Sequence, residues 1–147
     1  MIRDIFRVEG SARRPFVTAR LTLPAQGIAG DVQFLVDTGA DATVLAPVDA
    51  LFLGVNLAQL PAGPLTTGIG GRTHTAQAAA SITLGLSSYH LSLRVLAPTS
   101  PAQQRALRRI PSLLGRDMLS HFALFIEQRT DRVLLLEPHE AAALPLP

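Results

Sequence analysis

Between Phe16 and Leu23 the chain sets Val17, Ala19, Leu21 and Leu23 against Thr18, Arg20 and Thr22, the period-two rhythm of a strand with one buried face. A turn-rich stretch from Pro24 to Gly30 breaks this rhythm. The segment Asp31 to Val36 then predicts a returning strand that ends in the apolar run Phe34-Leu35-Val36. Thr43 to Leu45 continues as a short strand that Pro47 stops, and Val48 to Leu60 is apolar without a clear period, open between loop and short helix. Further on, Leu65 to Ala80 carries a glycine-rich tip between threonine-rich arms. Strands are predicted at Ala80 to Leu86 and His90 to Leu96, with Gly85 and Ser87-Ser88 marking the turn between them. Pro98 to Arg109 reads as a polar insertion with a helical turn. Leu113-Leu114 reads as a buried strand that turns at Gly115 into a short helix at Met118 to His121. Phe122 to Glu127 and Arg132 to Glu137 then form a hairpin around Arg129-Thr130-Asp131. The Ala- and Pro-rich tail from His139 lacks a pattern that would bury it and is expected to be flexible.

This mainly β pattern delivers one acid to a distinctive place. Asp37 follows Phe34-Leu35-Val36, where the strand leaves the core, so its carboxylate needs hydrogen bonds or a shared proton. Thr38 supplies a hydroxyl able to bond across to backbone, and Gly39 permits positive φ or the close approach of another backbone. Alone, Asp37-Thr38-Gly39 is a strand ending in a polar turn. Far downstream lies a second element, Ile110-Pro111-Ser112-Leu113-Leu114-Gly115-Arg116-Asp117-Met118-Leu119. In it a buried strand passes through glycine into a helix whose first turn holds Asp117, where free N–H groups and the helix dipole favour an anion.

Three separated motifs together resemble the retropepsins, the retroviral-type aspartic peptidases that act as homodimers. They are Asp37-Thr38-Gly39-Ala40-Asp41 followed by Ala42-Thr43-Val44-Leu45, the glycine-rich Gly68-Ile69-Gly70-Gly71, and Leu113-Leu114-Gly115-Arg116-Asp117. Their order matches that family over roughly residues 16 to 137. The resemblance implies a closed, barrel-like acid-protease fold with a flap hairpin and one short C-terminal helix. It also implies an aspartic endopeptidase domain at 16–137, flanked by an N-terminal segment at 1–15 and a tail at 138–147. Asp37, Thr38 and Gly39 would form the catalytic triplet, with Thr38 bonding to its symmetry mate and the Gly39 carbonyl meeting the substrate. Ala40 and Asp41 would bind substrate, Asp41 pairing with Arg116, and Asp117 would support the same loop. Gly68, Ile69, Gly70 and Gly71 would form a lid, and Leu113 would line a side-chain pocket. Ala42 stands where some viral members carry a third acid, and the insertion at Pro98 to Arg109 would lie near the cleft. The long C-terminal hairpin is more like cellular and bacterial members than viral ones.

The motif occurs once, and the chain shows no internal repeat. A mechanism that needs two carboxylates within reach of one proton therefore needs two chains on a two-fold axis. The expected partners are a second copy and a protein or peptide substrate, with no metal and no cofactor. The competing reading is a retropepsin-fold dimerisation or peptide-binding module without turnover.

Composition narrows the remaining classes. At 147 residues the chain is the size of one domain. With no cysteine it has neither disulfides nor thiolate metal sites. His74, His90, His121 and His139 are scattered without ligand spacing, and Ser112 and Ser120 have no base nearby in sequence. Gly68-Ile69-Gly70-Gly71 lacks the Gly-Lys-Ser/Thr ending of a phosphate loop. All thirteen basic residues are arginine, but the net charge is only +2. The cluster Arg105, Arg108 and Arg109 has no interleaved aromatics, so no nucleic-acid partner is expected. Apolar runs fall short of the ~20 residues of a membrane span and no secretory h-region is visible, which gives no membrane and a cytoplasmic location as the expectation.

Overall fold

The computed structural model describes residues 1–68 and 71–147. In chain order the elements begin with β1 (Ile2–Glu9), β2 (Ala12–Leu23), β3 (Ile28–Val36), β4 (Val44–Leu45), α1 (Pro47–Leu53), β5 (Thr66–Gly68) and β6 (Gly71–Thr73). They continue with β7 (Thr75–Leu84), β8 (Ser87–Leu96), α2 (Pro101–Leu107), β9 (Ser112–Leu114), α3 (Arg116–Leu119), β10 (Ala123–Glu127), β11 (Arg132–Leu136) and α4 (Pro138–Ala142). Strands β2, β3, β9, β4, β8 and β7 pair in that order, and β7 pairs back onto β2 through Leu21↔Ile82, closing a six-stranded barrel.

The alternation along β2 sets the barrel's inside. Val17, Ala19, Leu21 and Leu23 are buried, as are Val32, Phe34 and Val36 from β3, Ile82 and Leu84 from β7, and Leu93 and Val95 from β8. On β7 the inward positions Ala76, Ala78 and Ala80 are small, leaving room for large neighbours such as Phe34. Each fully buried Leu, Ile or Phe contributes about 1.5–3 kcal/mol. A one-residue slip of register would turn the whole set out to solvent, so the pairing Phe16↔Leu35 through Leu23↔Ile28 is strongly specified.

A second, open layer extends the barrel on one side. Ile2 to Ile5 of β1 pair with β11, whereas Phe6 to Glu9 pair with β2, so a single strand couples the C-terminal hairpin to the barrel. Asp4 fixes the crossing: its carboxylate accepts from the Thr18 amide at 2.7 Å, the Ile5 amide at 2.9 Å and Arg7 Nη2 at 3.2 Å.

Several elements differ from the sequence expectation. The stretch set apart at 1–15 is β1 and the start of β2, continuous with the sheet. Its alternation was masked because Ile2 and Phe6 point inward while Ile5 and Val8 are exposed. The tail beginning at His139 carries α4 from Pro138, closed by a capping box between Glu137 and Glu140. The single short helix is joined by α1, α2 and α4, and it starts at Arg116 rather than Met118. The insertion forms α2, with the Ser100 hydroxyl accepting from the Gln103 amide and Leu107 buried against Val44 and Leu96. Strands β7 and β8 are longer than expected, meeting at a Gly85-Leu86 turn in which Gly85 takes φ 62°.

The tip of the C-terminal hairpin is held by one carboxylate. Glu127 accepts from Thr130 Oγ1 at 2.7 Å, from Arg132 Nε at 3.0 Å and from Arg129 at 2.7 Å. These bonds, Thr130's first and then Arg132's, hold the Glu127 carboxyl below the usual carboxylate range. A carboxyl depressed in the folded state stabilises above its unfolded value and loses that contribution as pH falls through the folded one. Amide-exchange protection of the β10–β11 turn is therefore expected to be full near neutrality and to decline on acidification. In Glu127→Gln it should be weaker at neutral pH and insensitive to acid; equal protection in the two proteins at pH 7 would show that the carboxylate does not hold the tip.

Candidate active site

Asp37 is the first residue past β3. Its amide donates to the Leu114 carbonyl at 3.1 Å, extending the parallel pairing of β3 with β9 by one step. Its Oδ1 accepts from the Gly39 amide at 2.9 Å, and its carbonyl accepts from the Ala40 amide at 3.2 Å. The carboxylate is thus oriented by its own turn. A Cβ at residue 39 would sit 3.2 Å from Asp37 Oδ1, so glycine is suited here by close approach, not by a positive φ. The side chain is half-buried, and among the described residues Oδ2 accepts no hydrogen bond.

The loop from Asp37 to Thr43 is gripped from below by residues 115–118. The Arg116 amide donates to the Ala40 carbonyl at 2.8 Å and the Asp117 amide to the Asp41 carbonyl at 3.2 Å. Asp117 receives the Thr43 amide at 3.0 Å, the Thr43 hydroxyl at 2.7 Å and the Met118 amide at 2.9 Å. The Gly115 amide in turn donates to Thr43 Oγ1 at 3.1 Å. Thr43 is fully buried, so its hydroxyl and amide have no water to fall back on. Gly115 has an ordinary φ of −89°, but a Cβ there would lie 2.5 Å from the Ala42 carbonyl carbon and 2.6 Å from its oxygen. Only glycine lets these two backbones touch.

Arg116 reaches over the outside of the loop. Its Nη1 donates to the Thr38 carbonyl at 2.8 Å and its Nη2 pairs with Asp41 Oδ1. The two side chains are 54% and 79% exposed, and an ion pair so open contributes about 0–1 kcal/mol. The buried Thr43–Asp117 pair therefore does more to set the loop than the exposed Asp41–Arg116 pair.

Leu113 is half-buried opposite Leu35, which lies two residues before Asp37. Gly68 and Gly71 are register partners in the separate two-stranded hairpin β5–β6, while Ile69 and Gly70 lie outside the described residues. The base of that hairpin is tied to β7 by Gly63 N to Thr75 O at 2.8 Å and Thr75 Oγ1 to Pro64 O at 2.6 Å. Ser112 donates to Asp49 Oδ2 at 2.6 Å and accepts from the Ala46 amide at 2.9 Å, locking α1 to β9. His90 Nδ1 lies 2.8 Å from Ser81 Oγ, and His121 stacks on Tyr89 at 4.5 Å. Sequence reasoning missed the parts played by Thr43, Asp49 and Ser112. A lone threonine or serine in an apolar strand gives no signal of its distant partner.

A closed six-stranded β barrel that presents an Asp-Thr-Gly turn beside a Gly-Arg-Asp strand end is the architecture of a retropepsin-like aspartic protease. A family model described as aspartyl protease matches residues 24–118, and the chain belongs to that family. Among solved structures it is similar to a retropepsin-like aspartic protease from Rickettsia conorii. That match has a TM-score of 0.56 and 22% identity, and covers 91% of this chain and 88% of that one. It is also similar to the EIAV protease complexed with the inhibitor HBY-793, with a TM-score of 0.53 and 21% identity over 78% of this chain and 92% of that one. At such identities these structures establish the shared fold. No curated protein matches the chain.

The buried clamp has a measurable consequence. Thr43→Val keeps the shape but leaves the Gly115 amide unpaired and removes a donor from Asp117, a loss of about 1–3 kcal/mol in unfolding free energy. Gly115→Ala should be at least as damaging, because the atoms it meets are backbone. Denaturant unfolding measures both, and a Thr43→Val protein as stable as the parent would show that the loop is held elsewhere.

Proposed function

We propose that the chain is an aspartic endopeptidase that becomes active as a homodimer, each subunit giving one Asp37. The observation that carries this reading is the Asp37 carboxylate itself. It is half-buried, with Oδ1 engaged by the Gly39 amide and Oδ2 left without a partner among the described residues. One such acid per chain is half of a proton-sharing pair.

In the assembled site the two carboxylates hold one proton between them, because like charges about 3 Å apart do not both ionise. The ionised member takes a proton from a water as its oxygen attacks the scissile carbonyl carbon. The protonated member gives its proton to the carbonyl oxygen, and collapse of the resulting diol returns a proton to the departing amine. No covalent enzyme intermediate forms. Thr38 bonds to its mate beneath the pair, and the Gly39 carbonyl receives substrate backbone. Ala40 and Asp41 border the groove with Leu113, and Arg116 and Asp117 keep the loop in place. The β5–β6 hairpin that carries Gly68 and Gly71 closes over bound peptide as a lid. The clamp described above supports this assignment, since a loop held at both ends keeps the acid in position without cost at the moment of reaction.

Asp37→Asn retains shape but removes the base. Cleavage of a fluorogenic peptide should fall by a factor on the order of 10²–10⁴, while folding and dimer mass by light scattering stay unchanged. At low protein concentration the parent's specific activity should rise with concentration as dimers form. A protein that stays monomeric while turning over peptide, or an Asp37→Asn variant of undiminished activity, would rule out the shared pair. Dimers that bind peptide without cleaving it would identify a silent binding module instead.

A further inference from the structure

A second concave surface lies on the side of the barrel that carries β2 and β3. It has a volume of about 330 Å³, and Phe16, Gln33, Ile110 and Pro111 are among the residues that line it. Phe16 is the register partner of Leu35, and Pro111 precedes Ser112, the partner of Phe34. Gln33 is four residues before Asp37, on the same side of the strand by alternation, which is roughly 13 Å at about 3.3 Å per residue. An extended peptide leaving Asp37 along this face covers that distance in about three or four residues.

The charges on its rim are unevenly matched. Arg7, Arg108 and Arg109 line the cleft together with Glu9 and Asp49. Arg7 already has Asp4 at 3.2 Å, Glu9 faces Arg14 at 3.7 Å, and the Asp49 carboxylate accepts the Ser112 hydroxyl at 2.6 Å. Arg108 and Arg109 are exposed and enter no ion pair among the described residues. They follow α2, whose last residue Leu107 is buried against Val44 and Leu96, so the fold fixes where they leave the barrel. Two guanidinium forks at one edge of a cleft match the geometry of carboxylates.

We propose that this cleft is an outer specificity pocket for acidic side chains, which Arg108 and Arg109 select at the third or fourth residue from the cleaved bond. The assignment rests on the peptidase reading for its position along the substrate, whereas the binding chemistry stands on the cleft alone. A substrate segment that is apolar at the bond and acidic a few residues away fits both Leu35–Leu113 and the arginine rim.

The test uses the Asp37→Asn protein and labelled ten-residue peptides, apolar at the centre, with Glu, Gln or Lys at the third and fourth positions on either side. Fluorescence anisotropy should show the Glu peptide binding about five- to tenfold tighter than the Gln peptide at low salt. That advantage should shrink as salt screens it. The double variant Arg108→Glu, Arg109→Glu should bind the Lys peptide best. Equal binding of the Glu and Gln peptides, no binding of any peptide, or a Glu preference that survives the charge reversal would overturn the proposal. The same peptides offered to the Asp37 protein separate the two readings. Charge-selective binding without cleavage removes the peptidase and leaves the pocket, whereas cleavage indifferent to charge removes the pocket and leaves the peptidase.

Discussion

Strand β9 has only three residues, Ser112 to Leu114, yet it pairs on one side with β3 and on the other with β4. The loop from Asp37 to Thr43 leaves the first of these neighbours and returns to the second, so both of its ends rest on β9. Just beyond, Gly115 brings the chain into van der Waals contact with the Ala42 backbone, and the Asp117 carboxylate collects the Thr43 amide and hydroxyl. A half-buried carboxylate that accepts three donors ties those donors together, and removing it would leave the buried Thr43 amide and hydroxyl without a partner. The return end of the Asp37 loop is held by this contact between residues 74 positions apart.

The barrel makes that contact possible. Closure of β7 onto β2 removes the edges of an open sheet and fixes the inward set of Val17, Leu21, Phe34, Ile82 and Leu93 against one another. Ser112 then uses its position inside this framework to hold α1 through Asp49 and the Ala46 amide. The result is an end of the barrel that carries Asp37, Leu35 and Leu113, with the segment leading into the β5–β6 hairpin joined to β7 through Pro61, Ala62, Gly63 and Pro64.

The motifs were legible because each states its chemistry locally. Asp37-Thr38-Gly39 and Gly115-Arg116-Asp117 need particular residues at consecutive positions, and the alternation along β2 follows from a period that one face of a strand imposes. The strands beside them were legible for the same reason, to within a few residues at their ends. Strand β1 was not, because it serves two sheets: Ile2 and Phe6 turn inward, Ile5 and Val8 stay exposed, and Asp4 faces in to bind the Thr18 amide. Helix α4 was missed because its stability comes from Glu137 and Glu140 capping each other, in a segment whose composition gave no apolar stripe.

The sequence by itself determined a mainly β chain and a single Asp-Thr-Gly turn at the end of a strand, because those features are written in neighbouring side chains and in short periods. Only the tertiary structure decided which distant groups close on that acid. Thr43 with Asp117, beneath the loop that carries the acid, and Ser112 with Asp49, between β9 and α1, are pairings across tens of residues. Their partners are chosen by strand register and burial, and neither is a property of any local stretch of chain.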